Sequence, residues 1–188
     1  MKTKIQFLDL GKQPITNNFL VKKNPKNEFF YSLKLIFHKS SKLVSLAKFV
    51  PPKKMFNEKY AHRASASKTM SLAYSKLAKS IKKRFKPKSI LEIGSNDGVF
   101  IKHFKKIKNL GVEPCKNLAR ITKQAGLKTY DEFWTQKIAK KIVNQNGKVD
   151  VIYSANTISH IHNLNETFKA IDYTLHENGV FILEDPSL

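Results

Sequence analysis

Ser89-Ile90-Leu91-Glu92-Ile93-Gly94-Ser95-Asn96-Asp97-Gly98-Val99-Phe100, "SILEIGSNDGVF", reads as an apolar strand that breaks into a glycine-containing turn and then becomes apolar again. Glycine accepts the positive φ of a tight turn and, lacking a side chain, lets backbone approach a ligand. Two ligand classes are excluded at once. A dinucleotide fingerprint needs Gly at its first, third and sixth positions; counted from Gly94 these are Gly94, Asn96 and Val99. A phosphate loop needs a Gly-Lys-Ser/Thr ending, which the stretch lacks. What remains is Glu92-x-Gly94-x-Asn96-x-Gly98, a turn suited to holding backbone against a nucleoside. Glu113, in "NLGVEP", follows Gly94 by nineteen residues at the end of the next expected strand. A carboxylate there can accept both hydroxyls of a ribose.

Outward from this stretch, strand and helix signals alternate. Strands are expected near 89–93, 109–113, 127–130, 150–155 and 179–184, and helices near 97–107, 115–125, 134–145 and 164–176. That alternation predicts right-handed crossovers and a doubly wound, mostly parallel, Rossmann-like α/β sheet, with ligands beyond the carboxyl ends of its strands. Upstream, Met70, Ala73, Tyr74, Leu77, Ile81 and Phe85 recur at helical spacing, with Ser67 as N-cap and Pro87 as stop. Residues 1–60 hold short apolar clusters, "FFYSLKLIF" and "KLVSLAKFV", separated by "KKNPKNE" and "FVPPKK". The expected organisation is a small basic β-rich domain over 1–66 and a ligand-binding domain over 67–188.

Bulk properties bound the function further. A chain of 188 residues can bury one good core. No apolar run approaches the roughly 20 residues of a membrane span, and "MKTKIQFLDLGK" lacks the apolar core of a signal peptide, so a cytoplasmic protein without membrane contact is expected. One cysteine, Cys115, forms neither an internal disulfide nor a cysteine-based metal site. The formal charge of +21 is uneven: residues 1–88 carry 22 Lys and Arg against Asp9, Glu28 and Glu58, whereas residues 89–188 carry 13 against 11 acids. Such a half attracts phosphates at long range. Its cations are almost all Lys, however, and Lys is the poorer reader of base edges. Solvated surface and a polyanion site both remain open.

The pair "ILEIGSNDG" and "LGVEP" resembles the first two cofactor motifs of class I S-adenosylmethionine (SAM)-dependent methyltransferases. With "LDLGKQPITNNFL", "FVPPKKMFNEKYAHRASASKTM", "DVIYSANTISHIHNL" and "NGVFILEDPSL", the order resembles the sugar C-methyltransferase family over essentially residues 7–188. Members of that family act on nucleotide-linked keto-deoxysugars and carry a small N-terminal zinc-binding domain. The resemblance implies SAM as cofactor, with Glu92, Gly94, Ser95, Asn96 and Gly98 around its methionine end and Glu113, with Pro114, on its ribose. Asp131 or Glu132 would border the adenine, and Asn156 would face the mouth. Tyr60, Arg63, Ser65 and Ser67 match the segment that leads toward the substrate.

The chain departs from this family in two places. The first zinc-cysteine pair would lie upstream of Met1, and the second falls at His38 and Ser41; serine is a very poor zinc ligand, so no zinc is expected. The sequence also ends just after the fifth expected strand, where the family continues into a domain that, by resemblance, supplies a Tyr/Glu/His acid–base group. Methylation of carbon needs such a base, because a C–H beside a ketone becomes nucleophilic only after deprotonation. His160 and His162, in "ISHIHNL", are read as loop histidines, and no catalytic residue is named. Three functions stay open: a sugar C-methyltransferase without its own base, a catalytically silent SAM-binding module, and an RNA methyltransferase suggested by the basic half. The last lacks the Asn/Asp-Pro-Pro-aromatic signature after the fourth strand, where "SANTIS" stands. Val180–Leu183 are expected to form an open edge strand that pairs with a second chain.

Overall fold

The computed structural model describes residues 3–20 and 28–186. The chain divides into two units, Met1–Ala61 and His62–Leu188. The first is a three-stranded antiparallel sheet of β1 (Lys4–Pro14), β2 (Phe30–His38) and β3 (Val44–Leu46), followed by a single helical turn, α1 (Pro52–Met55). Two register shifts break the β1–β2 ladder, between Gln6 and Leu8 and between Asp9 and Lys12. Only Ile15 and Val50 are buried among the described residues of this unit, while Phe7 and Leu10 stay half exposed. Most of the "KKNPKNE" break lies outside the described residues.

The second unit opens with α2 (Lys68–Phe85), whose Ser67 hydroxyl accepts the Met70 N–H as an N-cap. The helix ends at Lys86, in the left-handed region at φ 45°, with Pro87 behind it. A parallel sheet follows: β4 (Ser89–Ile93), β5 (Lys108–Val112), β6 (Thr129–Tyr130), β7 (Val149–Ala155) and β8 (Leu175–Glu184), in the order β6-β5-β4-β7-β8. Its helices are α3 (Lys116–Gln124), α4 (Gln136–Asn146) and α5 (Leu164–Thr174). Every residue of β4 is buried, as a central strand covered on both faces requires. One face packs Leu91, Ile93, Ile152, Ile138, Ile142 and Ile171; the other packs Ile90, Tyr153, Tyr74, Ile81, Phe100 and Phe104. The order reverses at β4, between β5 and β7, which sets a crevice at the carboxyl ends of these strands. This is the expected α/β sheet behind a small β domain.

One expected element differs. The helix predicted over 97–107 is only a short 3₁₀ turn at Ile101–Phe104. Gly98 takes φ 78°, which a right-handed helix cannot contain, and beyond it His103 and Ile107 donate their N–H groups to the carbonyls of Phe100 and Phe104, the tighter i to i+3 pattern. The last strand also begins earlier than its apolar run, at Leu175, with a register irregularity between Val149 and Val151 opposite it. β8 pairs with β7 on one side, and Leu183 stays half exposed. No helix of the described residues is long and apolar enough to cross a membrane.

Candidate cofactor site

The turn after β4 is clamped to the end of β5. Gly94 and Ser95 both donate their N–H groups to the Val112 carbonyl, at 2.8 and 3.1 Å, and Gly98 donates to Ser95 O at 2.9 Å. Gly94, Asn96 and Gly98 all have positive φ, at 76°, 48° and 78°. Behind Gly94 there is no room for a methyl group, because an added Cβ would sit 2.2 Å from Thr157 Oγ1. The missing side chain at Gly94 is what lets Thr157 pack against the turn.

Asn96 locks the turn to its surroundings. Its Oδ1 accepts N–H groups from Ala64 and Asp97, both at 2.9 Å, and its amide nitrogen donates to His62 O at 3.3 Å. The Thr122 hydroxyl donates to its carbonyl at 3.2 Å. Asp97 accepts the Ser65 hydroxyl at 2.5 Å. Arg63 precedes the short 3₁₀ turn at Ala64–Ala66, so the segment carrying Arg63 and Ser65 is tied directly to the glycine turn. Tyr60 belongs to the first unit, where its ring lies 5.6 Å from that of Phe56.

Glu113 is buried at the end of β5 and spans the site's floor. Oε2 accepts the Asn96 N–H and Oε1 accepts the Cys115 N–H, each at 2.8 Å; Pro114 forms the bend that returns Cys115 to it. Burial raises the Glu113 carboxyl above its usual range, against the opposing pull of these donors. The Cys115 side chain also bonds to this carboxylate, and its four lone-pair sites leave capacity to accept a hydroxyl.

Glu92 differs. It is 4% exposed, and its Oε2 meets no partner. Burial pushes its carboxyl well above the usual range; the Ile101 N–H opposes this, while Glu113 and Asp97 add to it. A raised folded-state value means that the unfolded chain releases this proton first. Stability therefore falls as pH rises from the ordinary carboxylate range toward the folded value. Glu92→Gln is expected to flatten that fall and to melt higher than the parent at pH 8 but not at pH 4, as thermal unfolding across this range would read. A variant that tracks the parent at every pH would show that Glu92 is already ionised in the fold.

The other expected residues separate into two groups. Ser95 Oγ is buried without a partner beneath the turn, next to Gly111, where an added Cβ would lie 2.7 Å from it. Asn156, at φ 48° after β7, donates its N–H to Glu184 O at 2.7 Å and is exposed at the carboxyl edge. Asp131 and Glu132 follow β6, but their side chains are engaged by Lys123 at 2.8 Å and Lys141 at 2.9 Å. Three side chains missed from the sequence belong to this edge: Thr157 behind Gly94, Tyr153 and Glu184. The Tyr153 hydroxyl donates to Glu184 Oε2 at 3.1 Å. Their common signal was position near the carboxyl end of a parallel strand.

Residues 60–188 match the family described as "Methyltransferase domain". The chain belongs to the methyltransferase domain family. Residues 2–56 match a second family, described as "Putative zinc binding domain". Among the described residues no group of three or more His, Cys, Asp or Glu side chains could hold a metal ion, and His38 Nε2 instead lies 2.8 Å from Ser45 Oγ. The C-methyltransferase NovU of Streptomyces niveus is 27% identical over 101 residues, which is 53% of this chain and 24% of NovU. Among solved structures, a SAM-dependent methyltransferase of Archaeoglobus fulgidus overlays at a TM-score of 0.52 with 16% identity, covering 61% of this chain and 52% of that one. A protein of Pyrococcus horikoshii OT3 overlays at 0.53 with 17% identity, covering 64% and 60%. The chain therefore spans about a quarter of the length of the curated relative and about half that of the solved ones.

The glycine turn and Glu113 imply SAM as the cofactor, and the residues present fit it. Glu113 retains acceptor capacity for a hydroxyl, and the buried Glu92 Oε2 and Ser95 Oγ lack partners. Carboxylates are concentrated here in an otherwise basic chain: Glu92, Asp97, Glu113, Glu184 and Asp185 all stand at or beyond carboxyl ends of strands. An acidic mouth favours the positive charge of a sulfonium compound.

Proposed function

We propose that this methyltransferase transfers a methyl group from SAM to carbon, and that its acceptor is a nucleotide-linked keto-deoxysugar. The observation carrying this reading is the succession of two domains, a zinc-binding-type module followed by a methyltransferase domain, in a chain whose distant relative is a C-methyltransferase. SAM would lie against the turn at Gly94–Gly98, its ribose on Glu113 and its methionine end beside Glu92 and Ser95. Asp131 or Glu132, after releasing its lysine, would border the adenine. The acceptor would enter past Asn156 and the segment containing Arg63 and Ser65, with its diphosphate drawn by Lys side chains. A further strand, from a second chain, would pair along the open side of β8.

A catalytically silent SAM-binding module shares the same cofactor contacts and differs only in turnover. Calorimetry separates the readings: SAM is titrated first, then a nucleotide-linked keto-sugar, then short RNA. The expected result is binding of SAM and of the sugar nucleotide, with methylated sugar as product. SAM binding without any methylated product favours the silent module, and selective RNA binding favours the third function. The mass of the same sample by light scattering reports pairing along β8.

A further inference from the structure

We propose that Glu184, held by the hydroxyl of Tyr153, is the base that takes the proton from the acceptor carbon. This rests on the reading of the protein as a C-methyltransferase of a keto compound, and it supplies the base that the sequence alone left unnamed.

The first support is position. Glu184 ends β8 opposite Ala155 of β7, and the Asn156 N–H is bonded to its carbonyl. It follows Ile182 by two residues, so its side chain leaves the sheet on the face that carries Ile182, Tyr153 and Tyr74. Ligands of open parallel sheets bind at this edge. Glu184 is itself exposed there, whereas Tyr153 is fully buried.

The second support is the state of the carboxylates around it. Glu92 is buried at 4% exposure, out of reach of an acceptor at the mouth, and burial pushes its carboxyl well above the usual range. Both oxygens of Glu113 are bonded to backbone N–H groups. Asp97 is bonded by the Ser65 hydroxyl and N–H. Asp185 accepts from Ser159, its hydroxyl at 3.0 Å and its N–H at 3.3 Å, which fixes the loop after β7. Glu184 alone of these is an exposed residue with an oxygen left over. Oε2 is held by Tyr153, and Oε1 meets no donor among the described residues.

The third support is the phenol. Tyr153 lies among Tyr74, at 6.4 Å between ring centroids, and Phe100, at 4.1 Å. Burial and the neighbouring Glu184 carboxylate keep its hydroxyl protonated, so it donates and does not compete for the acceptor's proton. The step balances without any other reactant. A Glu184 oxygen accepts the proton of the C–H next to the ketone. The C–H electron pair moves to the adjoining C–C bond, the carbonyl oxygen takes the negative charge, and the products are a carboxylic acid and an enolate.

Because this step precedes methyl transfer, it can be read without SAM. A nucleotide-linked keto-sugar is incubated with the whole chain in deuterium oxide, and loss of the proton beside the ketone is followed by nuclear magnetic resonance against an enzyme-free sample. The parent is expected to accelerate exchange. Glu184→Gln should slow it by about 100-fold or more, the usual scale of a general base, and Tyr153→Phe by several-fold. Both should bind the sugar nucleotide as the parent does in calorimetry. Exchange that persists in Glu184→Gln, or that is lost in His160→Gln and kept in Glu184→Gln, overturns the assignment. So does a parent that binds the sugar nucleotide and exchanges nothing. A parent that does not bind it overturns the substrate reading beneath, a separate failure visible in the calorimeter alone.

Discussion

Gly94→Ala is expected to destabilise the second unit by about 2–4 kcal/mol and to remove measurable SAM binding. Two separate costs contribute. At φ 76° an alanine pays the left-handed penalty of about 1–2 kcal/mol that glycine avoids. The new methyl group would also lie 2.2 Å from Thr157 Oγ1, 2.9 Å from its Cγ2 and 3.0 Å from its Cβ. Thr157 cannot turn away freely, since its hydroxyl donates to Ala155 O at 2.8 Å and its Cβ is itself in the way. Nor can the turn retreat, because Gly94 and Ser95 share the Val112 carbonyl. Gly126→Ala is the control. It has φ 78° but nothing within 4 Å of an added Cβ, so it should show the conformational cost alone. Urea denaturation of both variants, with Gly94→Ala/Thr157→Ala beside them, separates the two. The double variant should regain most of the steric share, leaving only the Cβ contact at 3.0 Å, and keep the φ share. Equal stability of Gly94→Ala and Gly126→Ala would mean that Thr157 does not wall the turn.

These contacts mark the boundary of what could be read from sequence. The strand at 89–93 was legible because a central parallel strand is covered on both faces and reads as a near-continuous apolar run, here Ile90, Leu91 and Ile93 broken by Glu92; Ser89 to Ile93 are all buried. The N-cap at Ser67 was legible because a hydroxyl three residues before a free N–H is a local feature. The helix expected at 97–107 failed for a non-local reason. Phe100, Ile101 and Phe104 have the spacing of an amphipathic face, but Gly98 is drawn to φ 78° by the turn that packs against β5, and only one short turn follows. Glu113 could be found from its spacing to Gly94. Asn96 could be picked as a turn residue, but not its hold on His62 and Ala64, more than thirty positions away. Tyr153 and Glu184 lie thirty-one residues apart and meet only because β7 and β8 pair in parallel, Tyr153 beside Ile182 and Ala155 beside Glu184. Sequence pattern places each residue on a strand. Only register brings them together.

Glu113→Ala is expected to weaken SAM by about 10- to 100-fold, the loss of roughly 1.5–3 kcal/mol of charge-assisted hydrogen bonding. The structure adds a second reason for a large effect, since the same carboxylate accepts the Asn96 and Cys115 N–H groups that join the glycine turn to the end of β5. Alanine leaves both buried donors without a partner and loosens the turn as well as the ribose contact. Glu113→Gln distinguishes the two roles. Its amide offers one accepting oxygen, enough for either the Asn96 or the Cys115 N–H, and turns an NH₂ toward the other donor. If the carboxylate chiefly grips the ribose, adenosine should lose affinity in both variants by the same factor as SAM, because both carry the diol. If it chiefly braces the turn, the loss should be larger for SAM, whose methionine end also depends on the turn at Gly94–Gly98, and unfolding midpoints should fall in step. Calorimetric dissociation constants for SAM and adenosine, measured beside urea midpoints for the parent and the two variants, decide between these. Constants unchanged in Glu113→Ala would remove this carboxylate from the cofactor site.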